Sequence, residues 1–223
     1  IDHYRSLTYP FNGELPVMIN PEFIYACAPR TTGDSPLWIS SPYLLGGGNG
    51  LNLVQDLVDA FSMVDGQDIN HSSTNYPYPD MDNNYLEIGG SNQAFSGYTL
   101  LAKTARMYDN REPRFYNAVS FHGSWQECAK RPYDFFYNGK DNIRTSSPHD
   151  APQNGYLVRK SLCMTDNKKT GVYTSRQGFT YRLAFTYLDY AEANNEAYDT
   201  SAARELCLKY LNKVRERAGV RQY

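Results

Sequence analysis

"RLAFTYLDYAEANNEA" (Arg182 to Ala197) has neither proline nor glycine, and "YDTSAARELCLKYLNKVRERAG" (Tyr198 to Gly219) follows it directly. At about 100° per residue, Leu183, Ala184, Tyr187, Leu188, Tyr190 and Ala191 fall on one face. Arg182, Thr186, Asp189, Glu192 and Glu196 fall on the other. In the second segment Ala203, Leu206, Cys207, Tyr210, Leu211, Val214 and Ala218 form one stripe, and Gly219 supplies a stop. A polar break near Asp199 and Thr200 joins the two. The pattern predicts an antiparallel helical hairpin over residues 179–219, the unit from which helical-repeat superhelices are built. No second copy recurs at a fixed period. Phe185 falls among the polar residues of its wheel, so another part of the molecule is expected to cover it.

Working outward, residues 1–50 read as mostly irregular, because Pro10, Pro16, Pro21, Pro29, Pro36 and Pro42 interrupt any long helix. "EFIYACA" (Glu22 to Ala28) reads as a short buried strand, and "GGGNG" (Gly46 to Gly50) as a turn. Residues 51–178 are expected to hold helices, one short strand and long loops. Leu53, Val54, Leu57, Val58, Phe61 and Val64 recur at helical spacing and Gly66 ends the run, predicting a helix. Gln67 to Tyr85 is a long polar loop, and such loops in compact domains are often functional. Tyr98 to Tyr108 reads as another helix. Beyond Pro113, alternation through Phe115, Asn117, Val119 and Phe121 predicts a strand. Residues 122–155 read as loop.

Composition excludes several classes of function. Lys and Arg total 22 against 24 Asp and Glu in 223 residues, which gives no sign of a nucleic-acid partner. Arg204, Lys209, Lys213, Arg215, Arg217 and Arg221, interrupted by Glu205 and Glu216, read as a solvated helix face. No apolar run approaches the roughly 20 residues that span a bilayer. Cys27, Cys128, Cys163 and Cys207 form no C-x-x-C pair. Two disulfides are possible, but the position of Cys207 in an apolar stripe favours a packed free thiol. Tyrosine is unusually abundant, 20 against 2 tryptophans, and much of it lies in polar, proline-containing stretches. An apolar ring with a polar tip suits a wet binding surface.

Motifs for catalysis are missing. His3, His71, His122 and His149 have no metal-ligand spacing, and neither H-E-x-x-H nor G-x-S-x-G occurs. "GGGNGL" lacks the lysine of a phosphate loop. Asp80, Asp82 and Glu87 could face a cleft as a glycosidase pair does, but the simpler reading is a solvated acidic loop. Asp80, Asp82 and Asn84 imitate the first, third and fifth positions of a calcium loop. Tyr85 and Ser91 replace its glycine and its final glutamate, leaving only an irregular calcium site as an option.

Five stretches in order carry a resemblance: "NPEFIYA" (Asn20 to Ala26), "VQDLVDAFSMVDG" (Val54 to Gly66), "NREPRFY" (Asn110 to Tyr116), "GYLVRK" (Gly155 to Lys160), and the hairpin through "LNKVRERAGV" (Leu211 to Val220). Together they resemble the SusD/RagB family of nutrient-capture lipoproteins from Bacteroidetes. Leu53 and Val54 stand where the family usually has Pro-Ser/Thr, Glu112 where aspartate is usual, and Phe185 where glutamate is usual. Family members are commonly about twice this length, so the chain is expected to be a C-terminal-half portion. The resemblance implies a mainly α fold with long irregular loops and a few short strands, in the α-α superhelix (TPR-like) class and here incomplete. It implies a single SusD/RagB-like region over residues 1–223 at the outer membrane cell surface, anchored by an N-terminal lipid that this chain does not contain. It implies capture of oligosaccharide, starch-like or other glycan, or of peptide in some relatives, for a SusC-like TonB-dependent transporter, with no cofactor and no catalysis. "NREPRFY" is expected to be scaffold, its Arg111, Glu112 and Arg114 forming an exposed ion network.

Sugar rings have apolar faces edged with hydroxyls, and exposed aromatic rings flanked by polar groups hold them. Three loops supply such residues: Trp38 and Tyr43 in one, Asn75, Tyr76, Tyr78 and Asp80 in a second, Trp125 and Tyr133 in a third. The rival readings are a glycoside hydrolase and a protein-interaction module built on helical hairpins.

Overall fold

The computed structural model describes residues 2–27, 40–41, 45–80, 93–95, 98–160, 162–172, 174–176 and 178–223. The expected class holds: α-helices carry most of the regular structure, and the strands are two to four residues long, in four two-stranded antiparallel pairs. The hairpin is present as α4 (Leu183–Ala197) and α5 (Ser201–Ala218), which appear below under those labels. Thr200 caps the second helix by accepting from Ala203 N at 3.2 Å. Gly219, at φ 68°, ends it in the left-handed conformation. Ala184, Ala191, Ala203 and Ala218 are buried, and small residues let the two helices approach closely. Tyr210 closes the seam against Tyr187 and Tyr190, with ring centroids 5.5 and 4.8 Å away.

Residues 1–50 hold more order than their prolines suggested. α1 (His3–Asn12) starts on Asp2, whose carboxylate accepts from Arg5 N at 2.9 Å, and stops at Gly13. Pro10 lies in its last turn, so the N–H that would donate back to the carbonyl four residues earlier is missing there. The helix is fastened to its neighbours by side chains: Ser6 Oγ donates to Arg217 O at 3.0 Å, and Asn117 Nδ2 to Thr8 Oγ1 at 2.8 Å. β1 (Phe23–Ala26) forms as expected and pairs with β8 (Phe179–Arg182), but it is not buried; Ile24 and Tyr25 face outward. Glu22, just before β1, is buried and accepts from Arg182 Nη1 at 2.8 Å and from Arg217. One carboxylate thus ties the two strands to each other and to the second helix of the hairpin. It also corrects the reading of the basic cluster: Arg204, Lys209 and Lys213 are exposed, whereas Arg217 turns inward. Phe185 is half-buried, covered by Phe179 and Tyr181 of β8 and by the Arg182 guanidinium 4.7 Å from its centroid. No disulfide joins any of the four cysteines, all of which lie among the described residues.

The middle of the chain departs from its periodicity three times. The helix expected over 53–64 is only α2 (Gln55–Asp59). Around its end the backbone groups turn toward the core instead: the carbonyls of Val58 and Phe61 accept from Arg111 Nη2, both at 2.7 Å, and Ser62 N donates to Glu112 at 3.0 Å. Tyr98 to Tyr108 is not a helix. Tyr98–Leu100 is β3, paired with β2 (Gln93–Phe95), and Arg106–Tyr108 is a single 3-10 turn. Tyr98 and Leu100 are buried and Thr99 is exposed, the alternation of a strand. Conversely, the expected strand near Phe115 is α3 (Pro113–Ala118), with Pro113 in the first turn, followed by β4 (Val119–Ser120). Phe115, Tyr116 and Asn117 are all buried, so no one-sided period exists to read. β4 pairs with β7 (Leu157–Val158), and β5 (Trp125–Gln126) pairs with β6 (Arg131–Pro132).

The main core lies where α2, β3, α3 and β4 meet. Tyr98 stacks on Tyr116 with centroids 4.7 Å apart, and Tyr108 lies 4.2 Å from Phe121. Inside this core sits Arg111, fully buried, with Nη1 also donating to Met107 O at 3.2 Å and the guanidinium 4.9 Å from the Phe115 ring. Glu112 is 1% exposed. The expectation of a surface ion network at "NREPRFY" is therefore corrected: only Arg114 reaches solvent, and Arg111 and Glu112 are internal braces. Replacing Arg111 by Ala strips three buried carbonyls of their donor. It is expected to cost about 3–5 kcal/mol of unfolding free energy, read as a lowered urea midpoint.

Candidate functional site

Two aromatic surfaces emerge, both on loops held by polar side chains rather than by secondary structure. The first follows α2. Asp65 accepts from Gln67 N at 3.2 Å and from Ser73 Oγ at 2.5 Å, pinning the start and middle of the loop. Asp68 caps a 3-10 turn through Asn70 N and His71 N, at 2.8 and 3.0 Å. The His71 side chain bonded to Asp68 holds this carboxyl below its usual range. The chain then presents Asn75, Tyr76 and Asp80 to solvent, Tyr76 being 37% exposed. Tyr78 does not join them as an open ring. It packs against the main core, its ring 5.4 Å below the Arg111 guanidinium and its Oη 3.4 Å from Asp59 Oδ1. The idea that Tyr76 and Tyr78 are equivalent platforms is corrected accordingly.

The second surface is built by "YDFFYNGKDN" (Tyr133 to Asn142), directly after β6. Asp141, 2% exposed, accepts from Arg131 Nη1 and Nη2 at 2.6 and 2.8 Å and from Asp134 N at 2.8 Å. Asn142 Nδ2 donates to Phe135 O at 2.9 Å, and Gly139 N to Phe136 O at 2.7 Å. A Cβ at Gly139 would stand 2.3 Å from Asp134 Oδ1, so the turn admits only glycine without shifting. Within this brace the rings separate. Tyr133 is 1% exposed, stacked 4.9 Å from Phe135, with its Oη accepting from Gln126 Nε2 at 3.0 Å. As an open sugar platform Tyr133 is thereby corrected to a core residue, since its hydroxyl finds a buried partner.

Phe136 and Tyr137, which sequence reasoning missed, stand 69% and 71% exposed at the tip. Asn138-Gly139 marks a turn in the sequence, and aromatics beside a tight turn tend outward; that signal was available. His122 supports the shelf, its ring 3.8 Å from Phe136 and its Nδ1 accepting from Phe135 N at 3.1 Å. Burial pushes the His122 imidazole down from its usual value, against the pull of Asp134 and Asp141. The Nδ1 that accepts from Phe135 N carries no proton in this arrangement. A cleft of about 380 Å³ opens beside it, bordered by Lys103, Asp134 and Lys140. Trp125 is half-buried, Nε1 donating to Glu127 Oε2 at 2.7 Å.

Among the described residues no ring contact joins Tyr76 to Trp125, Phe136 or Tyr137. Trp38, Tyr43, Asp82, Asn84 and Glu87 lie outside the described residues. Also among the described residues, no group of three or more His, Cys, Asp or Glu could hold a metal ion. Among the described residues, no helix is long and apolar enough to cross a membrane.

The SusD family model matches residues 23–223. None of the curated proteins compared matches the chain. Among solved structures, a SusD-like protein from Bacteroides fragilis is similar at 22% identity and a TM-score of 0.63, over 98% of this chain and 40% of its own. A SusD-like carbohydrate binding protein from the same species is similar at 15% identity and a TM-score of 0.58, over 92% and 35% respectively. The chain thus spans well under half the length of these structural relatives, whose likeness establishes the fold.

Replacing Phe136 and Tyr137 together by Ala is expected to change stability by no more than about 0.5 kcal/mol per site, whereas Tyr133→Ala is expected to cost about 3–5 kcal/mol, both by urea denaturation. The His122 imidazole is expected to titrate below 6.5, the usual histidine value, in a proton NMR pH series. Its contribution to stability is then complete above that pH and is lost as pH falls through the depressed folded value. His122→Gln is expected to flatten that acid limb.

Proposed function

The chain belongs to the SusD family, and we propose that it is part of a surface protein that captures glycans. The captured molecule is an oligosaccharide, starch-like or otherwise, handed to a SusC-like TonB-dependent transporter at the outer membrane. Residues 1–223 act as a single SusD/RagB-like region, and an N-terminal lipid anchor outside this chain holds the protein to the cell surface. The observation that carries the binding reading is the Phe136–Tyr137 shelf. Two large apolar rings kept in water by a polar brace are costly to a monomer unless something rests on them. Their flat faces fit the apolar face of a pyranose, and Asp134 and Lys140 beside the cleft suit its hydroxyls. Tyr76, with Asn75 and Asp80, offers a second contact, and Trp125 a half-open third. Trp38 and Tyr43 remain proposed contacts on the strength of their sequence.

A non-catalytic role agrees with how the buried acids are used. Glu22, Glu112, Asp141 and Asp166 are buried, and each is held by arginine. Such carboxylates brace the fold and are not available to protonate a glycosidic oxygen. The test is calorimetric titration with a panel of oligosaccharides. At least one is expected to bind, and Phe136→Ala with Tyr137→Ala is expected to weaken it about tenfold or more, with Tyr76→Ala a smaller loss. Affinity unchanged in the double variant would sink the shelf. Release of shorter sugars, abolished by changing one acid, would favour a hydrolase instead. Binding of peptides alone would favour the peptide-binding relatives.

A further inference from the structure

The molecule also holds a partly open cavity of about 420 Å³, lined by residues of neither aromatic loop, between α1, α3, α4 and α5. Its floor is Phe11 and Phe61, with aliphatic side chains of the hairpin closing the sides. Its polar lining is unusual in sign. Arg114, Lys160, Arg182 and Arg217 all border it, and no described lining residue is a carboxylate. Three of these cations converge on one ring: Lys160 Nζ, Arg182 Cζ and Arg217 Cζ lie 5.7, 5.4 and 6.0 Å from the Phe11 centroid.

The neutralising charge is short. Glu22 is shared by Arg182 and Arg217, and Glu112 serves Arg114. Lys160 has no carboxylate within ion-pair distance among the described residues. The buried Arg182 Nε has no acceptor, and a donor left so is a persistent cost. Gathered like charges repel, and each partly desolvated cation gains from an anion placed among them. Burial, then the neighbouring Arg182, Arg217 and Arg114, pushes Lys160 below its ordinary range, as such crowding should.

We propose that this cavity is a binding site for a small organic acid, a carboxylate carried on a compact apolar body. The carboxylate lies among Lys160, Arg182 and Arg217, and the body rests on Phe11 and Phe61. A volume of this size suits a molecule of modest dimensions. An inorganic anion would satisfy the cations and waste the floor; an apolar molecule without charge would do the reverse. The proposal does not rest on glycan capture, since its residues and those of the loops are different.

The test uses phenylacetate as probe, titrated calorimetrically against its uncharged amide, phenylacetamide, and against inorganic phosphate. Phenylacetate is expected to bind, with the amide and phosphate each weaker by about tenfold or more, the size of one lost charge-assisted contact or of the apolar burial. Lys160→Gln is expected to weaken phenylacetate about tenfold, and Lys160→Arg to restore most of it, with thermal midpoints unchanged in both. Loss of glycan affinity in the Phe136 and Tyr137 variant is expected to leave phenylacetate binding intact. Equal binding of acid and amide, phosphate binding as tight as phenylacetate, indifference to Lys160, or no heat at millimolar phenylacetate would each overturn the proposal.

Discussion

A guanidinium sealed inside an aromatic core is the constraint from which the middle of this protein follows. Arg111 is fully buried, and burial pushes it below its usual range, against the opposing influence of the phenols of Tyr78 and Tyr116 and the carboxylates of Asp59 and Glu112. A charge so placed must be met by oriented dipoles. The carbonyls of Met107, Val58 and Phe61 provide them. To do so the chain must leave α2 early, since a carbonyl that turns toward Arg111 is withdrawn from the helix ladder. Glu112 takes Ser62 N from the other side. Two segments about 50 residues apart in sequence are thus locked by one dipeptide, and the loop bearing Tyr76 leaves from that lock.

The same device recurs wherever the chain is irregular. Asp141 holds the shelf loop, Asp166 pairs with Arg176 and accepts from Thr174 N at 2.8 Å, and Glu22, just before β1, is paired with β8 and α5. Each acid is buried and takes several donors at once. A loop-rich protein with strands of two to four residues has few ladder hydrogen bonds to define its loops. Buried carboxylates that accept from both backbone and arginine replace them, and removing one partner leaves the other as an uncompensated charge. This use of acids is how the fold fixes segments that lack regular structure.

What could be read from residues alone follows from which forces are local. The hairpin was legible because its periodicity, the Thr200 cap and the Gly219 stop all act within a few residues. β1 was legible as a strand, though its exposure was not, because exposure depends on what lies opposite. The segments around Phe61, Tyr98 and Phe115 were misread for one shared reason: they converge on a core buried from all sides, where periods of two and 3.6 lose their meaning. Tertiary hydrogen bonds to Arg111 and Glu112 then overrode local preference. At the site, Tyr76 was placed correctly on the surface, while Tyr78 and Tyr133 were not, because proline-rich or polar surroundings in sequence say little about the far side of a ring. Phe136 and Tyr137 were overlooked although Asn138-Gly139 marked the turn.

Exposure of those two rings is informative because the neighbouring rings are not exposed. Within five residues, Tyr133 and Phe135 are buried and Phe136 and Tyr137 are not. A loop optimised only for stability would turn polar residues to solvent at its tip and keep aromatic ones within. Here the brace of Asp141, Asn142 and Gly139 does the opposite, fixing the loop so that apolar surface stays in water. The His122 ring packs 3.8 Å from the Phe136 ring. Rings that are rigid before contact lose little entropy when a flat molecule settles on them. Local structure that spends stability to hold such a surface open is the pattern expected of a binding site, and it is the physical link between the buried acids of this fold and what its surface can hold.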